Sequence, residues 1–512
     1  MKQPTTKKPK SKKRTGNALL EIDGLTPAAQ QRIRDATQAL REVIEEAMPD
    51  ATFEEHEAAV LKITNEIARQ ELERKLQTIA DELPTTMVID HNNDWHGVRD
   101  ETAFEYRREH SDNKKYHSLV GDLEVRRGVY REHGSWSRYV ALDLKVGMME
   151  GCTPALAKAL AVGFGEMPTR QIAEFFAAAG RRVPSRSTLD RTARDVGAYA
   201  IAANDEIEEQ IRATEVVPPS ARALAIGVDR TAVAMRNNAT RDAWQFVGSD
   251  LRRPRPQCPR SSARKDKGVQ WLMDYVATVA FLNDHGERLE SRCYRLQSLA
   301  NPDYMMKRVM ADVHHALQQR PDLRICVVQD GAPELWTLVR RHLGEQAGVA
   351  QWHEVLDWYH VDERLAACAQ LCTDDAHLQQ AQRDRWRTML WASRGGAARL
   401  IRSLREKRRG VTHAAQVQLR EHAHYFARRR SLLCYRKTKN LKLPIGSGIT
   451  EGACKSFIGT RAKRSGQHWT PRGLAASLHI RGMIQSGRFD AFWAALRGRY
   501  IATSMTAVVS GA

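Results

Sequence analysis

Residues 221–236 read ARALAIGVDRTAVAMR, an apolar run of strand length broken near its middle by one carboxylate, Asp229. Small and β-branched residues on both sides predict a strand buried on both faces. An aspartate inside such a run is costly to ionise unless a cation or hydrogen bonds compensate. Asp229 therefore reads either as a cation ligand or as a carboxylate that bonds backbone amides near a strand end.

The neighbouring patterns extend this strand into a sheet. WLMDYVATVAFLNDHGERLESRCYRLQ (271–297) predicts a hairpin turning at NDHG, and NPDYMMKRVMADVHHALQQ (301–319) an amphipathic helix capped by Asn301. DLRICVVQDGAPELW (322–336) predicts a buried strand ending at Asp330-Gly331, then a helix from Pro333; WHEVLDWYH (352–360) predicts a further strand. Residues 361–440 have a basic, helical pattern, and helix returns after GSG (446–448). The order β, β-hairpin, α, β, α, β is what a ribonuclease-H-like α/β core requires: a mixed sheet with helices on its faces, here interrupted by an all-α insertion.

Charge points to the partner. The chain of 512 residues carries a formal net charge of +19, with an isoelectric point near 9.7, and length alone predicts about two to four domains. Such a balance predicts a polyanion, most simply nucleic acid. The charge is clustered: MKQPTTKKPKSKKRT (1–15) reads as a disordered phosphate-tracking arm, and further basic blocks occupy 252–267, 402–410, 428–442 and 461–469. Residues 21–82 are rich in acid. Neither an apolar run of membrane-spanning length nor a signal-peptide pattern is present, so a cytoplasmic, nucleoid-associated protein is expected. The eight cysteines form no CxxC pair, and Cys368 and Cys372 read as free thiols rather than zinc ligands.

Before the sheet, the pattern is mostly helical. Thr26 and Pro27 form a cap and first position for one charged helix, and a second covers about 52–83. YHSLVGDLEVRRGVYRE (116–132) switches to period two around Gly121-Asp122, a hairpin that either faces DNA or braces the helices. MPTRQIAEFFAAAG (167–180), a short connection and SRSTLDRTARDVGAYA (185–200) fit a helix-turn-helix, with 185–194 as recognition helix carrying Ser185, Arg186 and Arg191. Helical hairpins of this kind also occur without binding anything.

Two more carboxylates join Asp229. Asp330 follows ICVVQ directly, at the carboxyl end of a strand, where open α/β sheets place ligands; an Asp-Gly turn explains it equally. In PIGSGITEGACKS (444–456) the glycines lack phosphate-loop spacing. With Gly448 as N-cap, Glu451 falls at the third helical position, so it is either a metal ligand or the acid of a capping box. Two aspartates with a helical glutamate describe a two-metal phosphodiester site, suited to Mg²⁺. Beyond Glu451 come Lys455, Arg461, Lys463, Arg464, His468 and an exposed-looking Trp469, a place to hold DNA backbone and stack a base, or simply a solvated helix end.

GVDRTAV, VVQDGAPELW, DWYH and LPIGSGITEGACKSFIGTRAKRSGQHW together resemble bacterial insertion-sequence DDE transposases, most closely the Kra-type insertion-sequence family, over roughly residues 116–500. The resemblance implies a ribonuclease-H-like core with Asp229, Asp330 and Glu451 as catalytic metal ligands for two Mg²⁺, with Mn²⁺ able to substitute. It implies a helical insertion before the glutamate, and a homodimer or higher oligomer acting on double-stranded terminal inverted repeats and target DNA, with no membrane partner. DWYH resembles the Asp-x-x-His signature of several cut-and-paste groups, here Asp357 and His360; His360 either approaches the scissile phosphate or ties its strand to the insertion. Cysteine pairs that relatives carry ahead of the helix-turn-helix are missing. The expected organisation is a basic tail (1–16), a helical region (17–115), a small hairpin (116–150) and a helix-turn-helix domain (151–215). The catalytic core follows in two parts (216–365, 441–500) around the insertion (366–440), with a tail at 501–512.

Overall fold

The computed structural model describes residues 26–90, 103–132, 138–182, 184–236, 269–297, 302–345, 349, 351–392, 395–501 and 505–507. The basic tail, the basic block at 252–267, Asn301 and most of the 501–512 tail lie outside them. The protein is a mixed α/β chain, mostly helical, with one antiparallel and one mixed five-stranded sheet. It divides into two compact units, Met1–Ala68 and Arg69–Ala512.

The first unit holds α1 (Pro27–Ala47) and the start of α2 (Phe53–Asp81). Thr26 caps α1 by accepting from Ala29 N at 3.2 Å, with Pro27 in the first turn. A capping box opens α2: Thr52 N donates to Glu55 Oε2 at 2.8 Å and Glu55 N to Thr52 Oγ1 at 3.4 Å.

In the second unit, the end of α2 buries Leu76 and Ala80 against Tyr106, Tyr116, Leu123, Val125 and Tyr130 of the antiparallel sheet. That sheet contains β1 (Thr86–Asp90), β2 (Ala103–Ser118), β3 (Gly121–Glu132), β4 (Arg138–Tyr139) and β10 (Met505–Ala507), in the order β10-β1-β2-β3-β4. The hairpin expected at 116–132 is thus longer and starts inside the stretch read as helical. Its β2 is polar along most of its length, so the alternation that announces a half-buried strand is missing there.

A helical group follows: α3 (Ala141–Val146), α4 (Pro154–Glu166), α5 (Thr169–Ala178), α6 (Arg186–Ala202) and α7 (Asn204–Thr214). Leu189, Ala193, Val196 and Ala200 line the buried face of α6, as their spacing predicts. They share one core with Ala476, Ile480, Phe492 and Trp493 from the far end of the chain.

The mixed sheet is built from β5 (Ala223–Arg236), β6 (Val269–Leu282), β7 (Arg288–Gln297), β8 (Arg324–Gln329) and β9 (His353–Leu356), in the order β7-β6-β5-β8-β9. Strand β5 pairs antiparallel with β6 along its whole length and parallel with β8 from Ala223↔Arg324 to Ile226↔Val327. Strands β8 and β9 run parallel from Cys326↔His353 to Gln329↔Leu356. Helices α8 (Pro302–Gln319) and α9 (Pro333–Glu345) pack with them. DWYH is not strand: Asp357 caps α10 (Trp358–Gln370), because its carboxylate takes the His360 N–H at 2.8 Å.

Beyond α10, the region 366–440 is helical, with α11 (Ala376–Trp391), α12 (Gly396–Lys407), α13 (His413–Arg428) and α14 (Tyr435–Asn440). Trp386, Leu400, Leu404, Phe426 and Tyr435 from these helices join the same core as Val327 and Val355 of the sheet. The chain then enters α15 (Gly448–Ala453), continues through a π-helical turn (Cys454–Gly459) and a last α-turn (Thr460–Ala462), and finishes with α16 (Pro471–Gln485) and α17 (Phe489–Ile501).

Candidate active site

Sheet register brings three aspartates level with one another. Extending the parallel pair Ile226↔Val327 three residues along each strand sets Asp229 beside Asp330. Extending Gln329↔Leu356 by one residue sets Asp330 beside Asp357, where Asp357 N donates to Gln329 O at 3.0 Å. Paired positions in parallel strands share a face, so the carboxylates form a row that runs from the middle of β5 to the carboxyl ends of β8 and β9.

Helix α15 crosses this row. Gly227 lies two residues before Asp229 on the same face, and a Cβ on it would overlap Thr450 Oγ1 and lie 3.0 Å from Val328 O. Thr450 instead bonds Thr278 Oγ1 at 2.7 Å, seating the helix on β5 and β6. One turn on, the Cys454 thiol donates to Asp229, whose carboxylate also accepts from Arg230 N at 2.7 Å. Burial, then the charges of Asp330 and Glu451, raise the Asp229 carboxyl above the usual aspartate range, against those two hydrogen bonds. Burial first, then Asp229, push the Cys454 thiol up, so it remains a protonated donor.

Glu451 is fixed from another side. Ser447, not Gly448, is the N-cap residue, and Ser447 Oγ donates to Glu451 Oε1 at 2.7 Å. Ser447 N donates to Asp357 Oδ2. The capping-box reading of Glu451 is therefore corrected: the cap N–H it would bond is already taken by Asp357, and the glutamate is held as an acceptor. His360 Nδ1 lies 3.2 Å from Asp357 Oδ1 and 3.7 Å from Glu451 Oε1. Ligand atoms of Asp357, His360 and Glu451 all fall within 4.8 Å of one another, so Asp357 belongs both to the aspartate row and to this His-containing triangle. Asp330 closes an Asx turn, accepting from Ala332 N at 2.9 Å.

The basic residues downstream divide. Lys455, Lys463 and His468 are exposed, with Lys463 Nζ donating to Thr231 Oγ1 of β5. Arg464 bonds Gln171 Oε1 at 2.8 Å and Glu166 O at 3.2 Å. Arg461 and Trp469 are both buried, which corrects the expected DNA-facing placement. The guanidinium of Arg461 lies 4.5 Å from the Trp469 ring centroid and donates from Nε to Phe164 O at 2.9 Å. The Trp469 backbone extends the edge of β5, with Trp469 N to Ala234 O at 3.1 Å and Arg236 N to Trp469 O at 3.0 Å.

In the helical group, Ser185 caps α6 by accepting from Thr188 N at 3.3 Å. Arg186 is exposed, and Arg191 pairs with Glu150 at 3.1 Å. Sequence reasoning missed Gly227, Ser447, Thr450 and Cys454. The four-residue spacing from Ser447 to Glu451 was available as a signal, because i and i+4 share a helix face. Seven cysteines among the described residues are free thiols.

No protein-family model matches the chain, and a search of curated proteins returned no significant match.

Proposed function

We propose that the chain is an insertion-sequence DNA transposase of the DDE type, of the Kra-type branch, with a ribonuclease-H-like core formed by β5–β9. The observation that carries this reading is the register that sets Asp229 beside Asp330 under the helix bearing Glu451. A central strand with an antiparallel hairpin on one side and two parallel strands on the other is the arrangement that core requires.

Among the described residues the ligand atoms drawn together within 4.8 Å are those of Asp357, His360 and Glu451, and the chemistry of Asp229, Asp330 and Glu451 suits divalent cations. Asp229, Asp330 and Glu451 offer hard oxygen donors; burial first, then repulsion from Asp330 and Glu451, raises the Asp229 carboxyl, and a bound cation would relieve that repulsion. These three would hold two Mg²⁺, with Mn²⁺ able to substitute. When bound, such a pair supplies activation of the attacking oxygen and stabilisation of the leaving oxygen of a phosphodiester. The chain's own groups prepare the site: the Cys454 thiol orients Asp229, and the Ser447 hydroxyl orients Glu451. His360 turns a buried Nδ1 toward Asp357 and Glu451, so the exposed part of its ring lies away from them.

The substrate in this reading is double-stranded DNA. The helices α5 and α6 would read terminal inverted repeats through Ser185 and Arg186, while Lys455, Lys463 and His468 would follow the backbone of the cleaved strand. Freed 3′-hydroxyls would then attack target DNA, and joining two ends implies at least a dimer. Among the described residues no helix is long and apolar enough to cross a membrane. The test is cleavage of linear DNA carrying the element ends by wild type and Asp229→Asn in Mg²⁺. Loss of cleavage with end binding retained supports the reading, and wild-type cleavage by the variant overturns it. Joining of pre-cleaved ends to a plasmid separates a transposase from a simple nuclease.

A further inference from the structure

Tyr425 of α13 is clasped by two guanidiniums. Arg364 Cζ lies 3.9 Å and Arg429 Cζ 4.0 Å from the ring centroid. Two cations at that height cannot share one face of a ring, so they stack on opposite faces. The hydroxyl end of Tyr425 meets the Asp330 loop, where a Cβ on Gly331 would overlap the phenol oxygen and lie 2.8 Å from Cε2. Arg429 donates from Nε to Gly331 O at 3.1 Å and from Nη1 to Tyr425 O at 3.4 Å. The charges of Arg364 and Asp330 are both felt at the same ring.

Arg364 follows His360 by one turn on α10, so the two share a face of that helix. His360 stands against Glu451, while Arg364 stacks on the ring whose hydroxyl meets the Asp330 loop. By contrast, Arg383 and Arg387 both pair with Asp362. Among the described residues neither Arg364 nor Arg429 is paired with a carboxylate.

We propose that Arg364, steadied by Tyr425 and Arg429, binds a DNA backbone phosphate at the rim of the carboxylate row; this rests on the DNA-cleaving reading above. A cluster of carboxylates repels the polyanion it must act on, so the rim needs a cation that is not already spent. A guanidinium stacked on a ring keeps its N–H edge outward, and that planar fork matches two non-bridging phosphate oxygens. Arg429 spends its donors on the Asp330 loop and acts as a positioning residue, whereas exposed Arg364 is the contact.

The test is binding of a short mixed-sequence duplex by the full chain in EDTA, followed over a salt series by anisotropy. Arg364→Gln is expected to reduce the slope of log K against log salt by about 0.9, the value for one phosphate contact on duplex DNA. Arg364→Lys and Tyr425→Phe should keep the wild-type slope. Tyr425→Leu, which removes no charge but frees Arg364, should lose it. Arg320→Gln removes a cation paired with Asp322 ahead of the amino end of β8, away from the carboxylates, and should leave the slope unchanged. An Arg364→Gln slope equal to wild type, or an equal drop in Arg320→Gln, overturns the phosphate site while leaving the DNA reading intact. Wild type that binds no duplex overturns both.

Discussion

Gly227 and Thr450 touch so closely that no side chain fits between β5 and the helix bearing Glu451: a Cβ on Gly227 would overlap Thr450 Oγ1 and stand 3.1 Å from Thr450 Cβ. This contact sets the height of α15 above Asp229. Gly227→Ala should therefore cost about 1–3 kcal/mol, the usual range for overpacking, and abolish cleavage by lifting Glu451. Thr450→Ala removes the overlapping oxygen, so the double variant should recover part of the stability. A double-mutant cycle by urea denaturation measures this coupling, expected at about 1 kcal/mol or more for residues in contact. Simple additivity would show that the two residues do not set the helix height.

Asp229 should make the metal-free protein less stable as pH rises. Its folded-state carboxyl is raised by burial and by Asp330 and Glu451, above an unfolded value of about 3.9. The stability this group contributes is thus complete below pH ~3.9 and is lost as pH rises through the folded value. In EDTA at neutral pH, Asp229→Asn should be at least as stable as wild type, with the difference closing as pH falls toward ~4. Adding Mg²⁺ should raise the wild-type Tm more than that of the variant. Urea denaturation across pH checks the first, thermal melts the second.

The sheet was legible because its strands are buried runs interrupted by carboxylates, and Asp229 and Asp330 stand out against ALAIGV and ICVVQ. The surroundings of Glu451 were less so. Its partners Ser447, Asp357 and His360 come from two segments, joined only when the 444–447 loop folds onto the start of α10. Trp469 was misread because its surroundings are remote in sequence: Ala234 O takes its N–H, and Arg461 bridges it to Phe164. Strand β2 was hidden because its pattern is polar, and its partners, not its own apolar content, make it a strand.

That burial predicts what Trp469→Ala will do. The indole fills the core formed by Val233, Met235, Phe457 and Leu474, so its loss should cost about 3–5 kcal/mol. Duplex affinity of the folded variant should match wild type at equal salt, because the ring has no open face for a base. Lys455→Gln and Lys463→Gln should do the reverse, weakening duplex binding with little change in stability, since both ammonium groups are exposed. Urea denaturation and anisotropy on the same preparations separate the two classes.

Asp357 should show the opposite pH response to Asp229. Burial pushes its carboxyl up, but the N–H groups of Ser447 and His360 outweigh it and hold the pKa below the usual aspartate range. A group lowered on folding contributes stability above its unfolded value, near 3.9, and that contribution is lost as pH falls through the folded value. Asp357→Ala removes the α10 cap, worth about 1 kcal/mol, and leaves the buried Ser447 N–H unpaired, at about 1–3 kcal/mol more. The variant should therefore be less stable than wild type by about 2–4 kcal/mol at neutral pH, with the deficit shrinking in acid. The same substitution unties the loop that presents Ser447 to Glu451, so cleavage should fall even at temperatures where the variant is fully folded. A deficit that grows as pH falls below ~4 would contradict the assignment of Asp357 as the charged anchor of that loop.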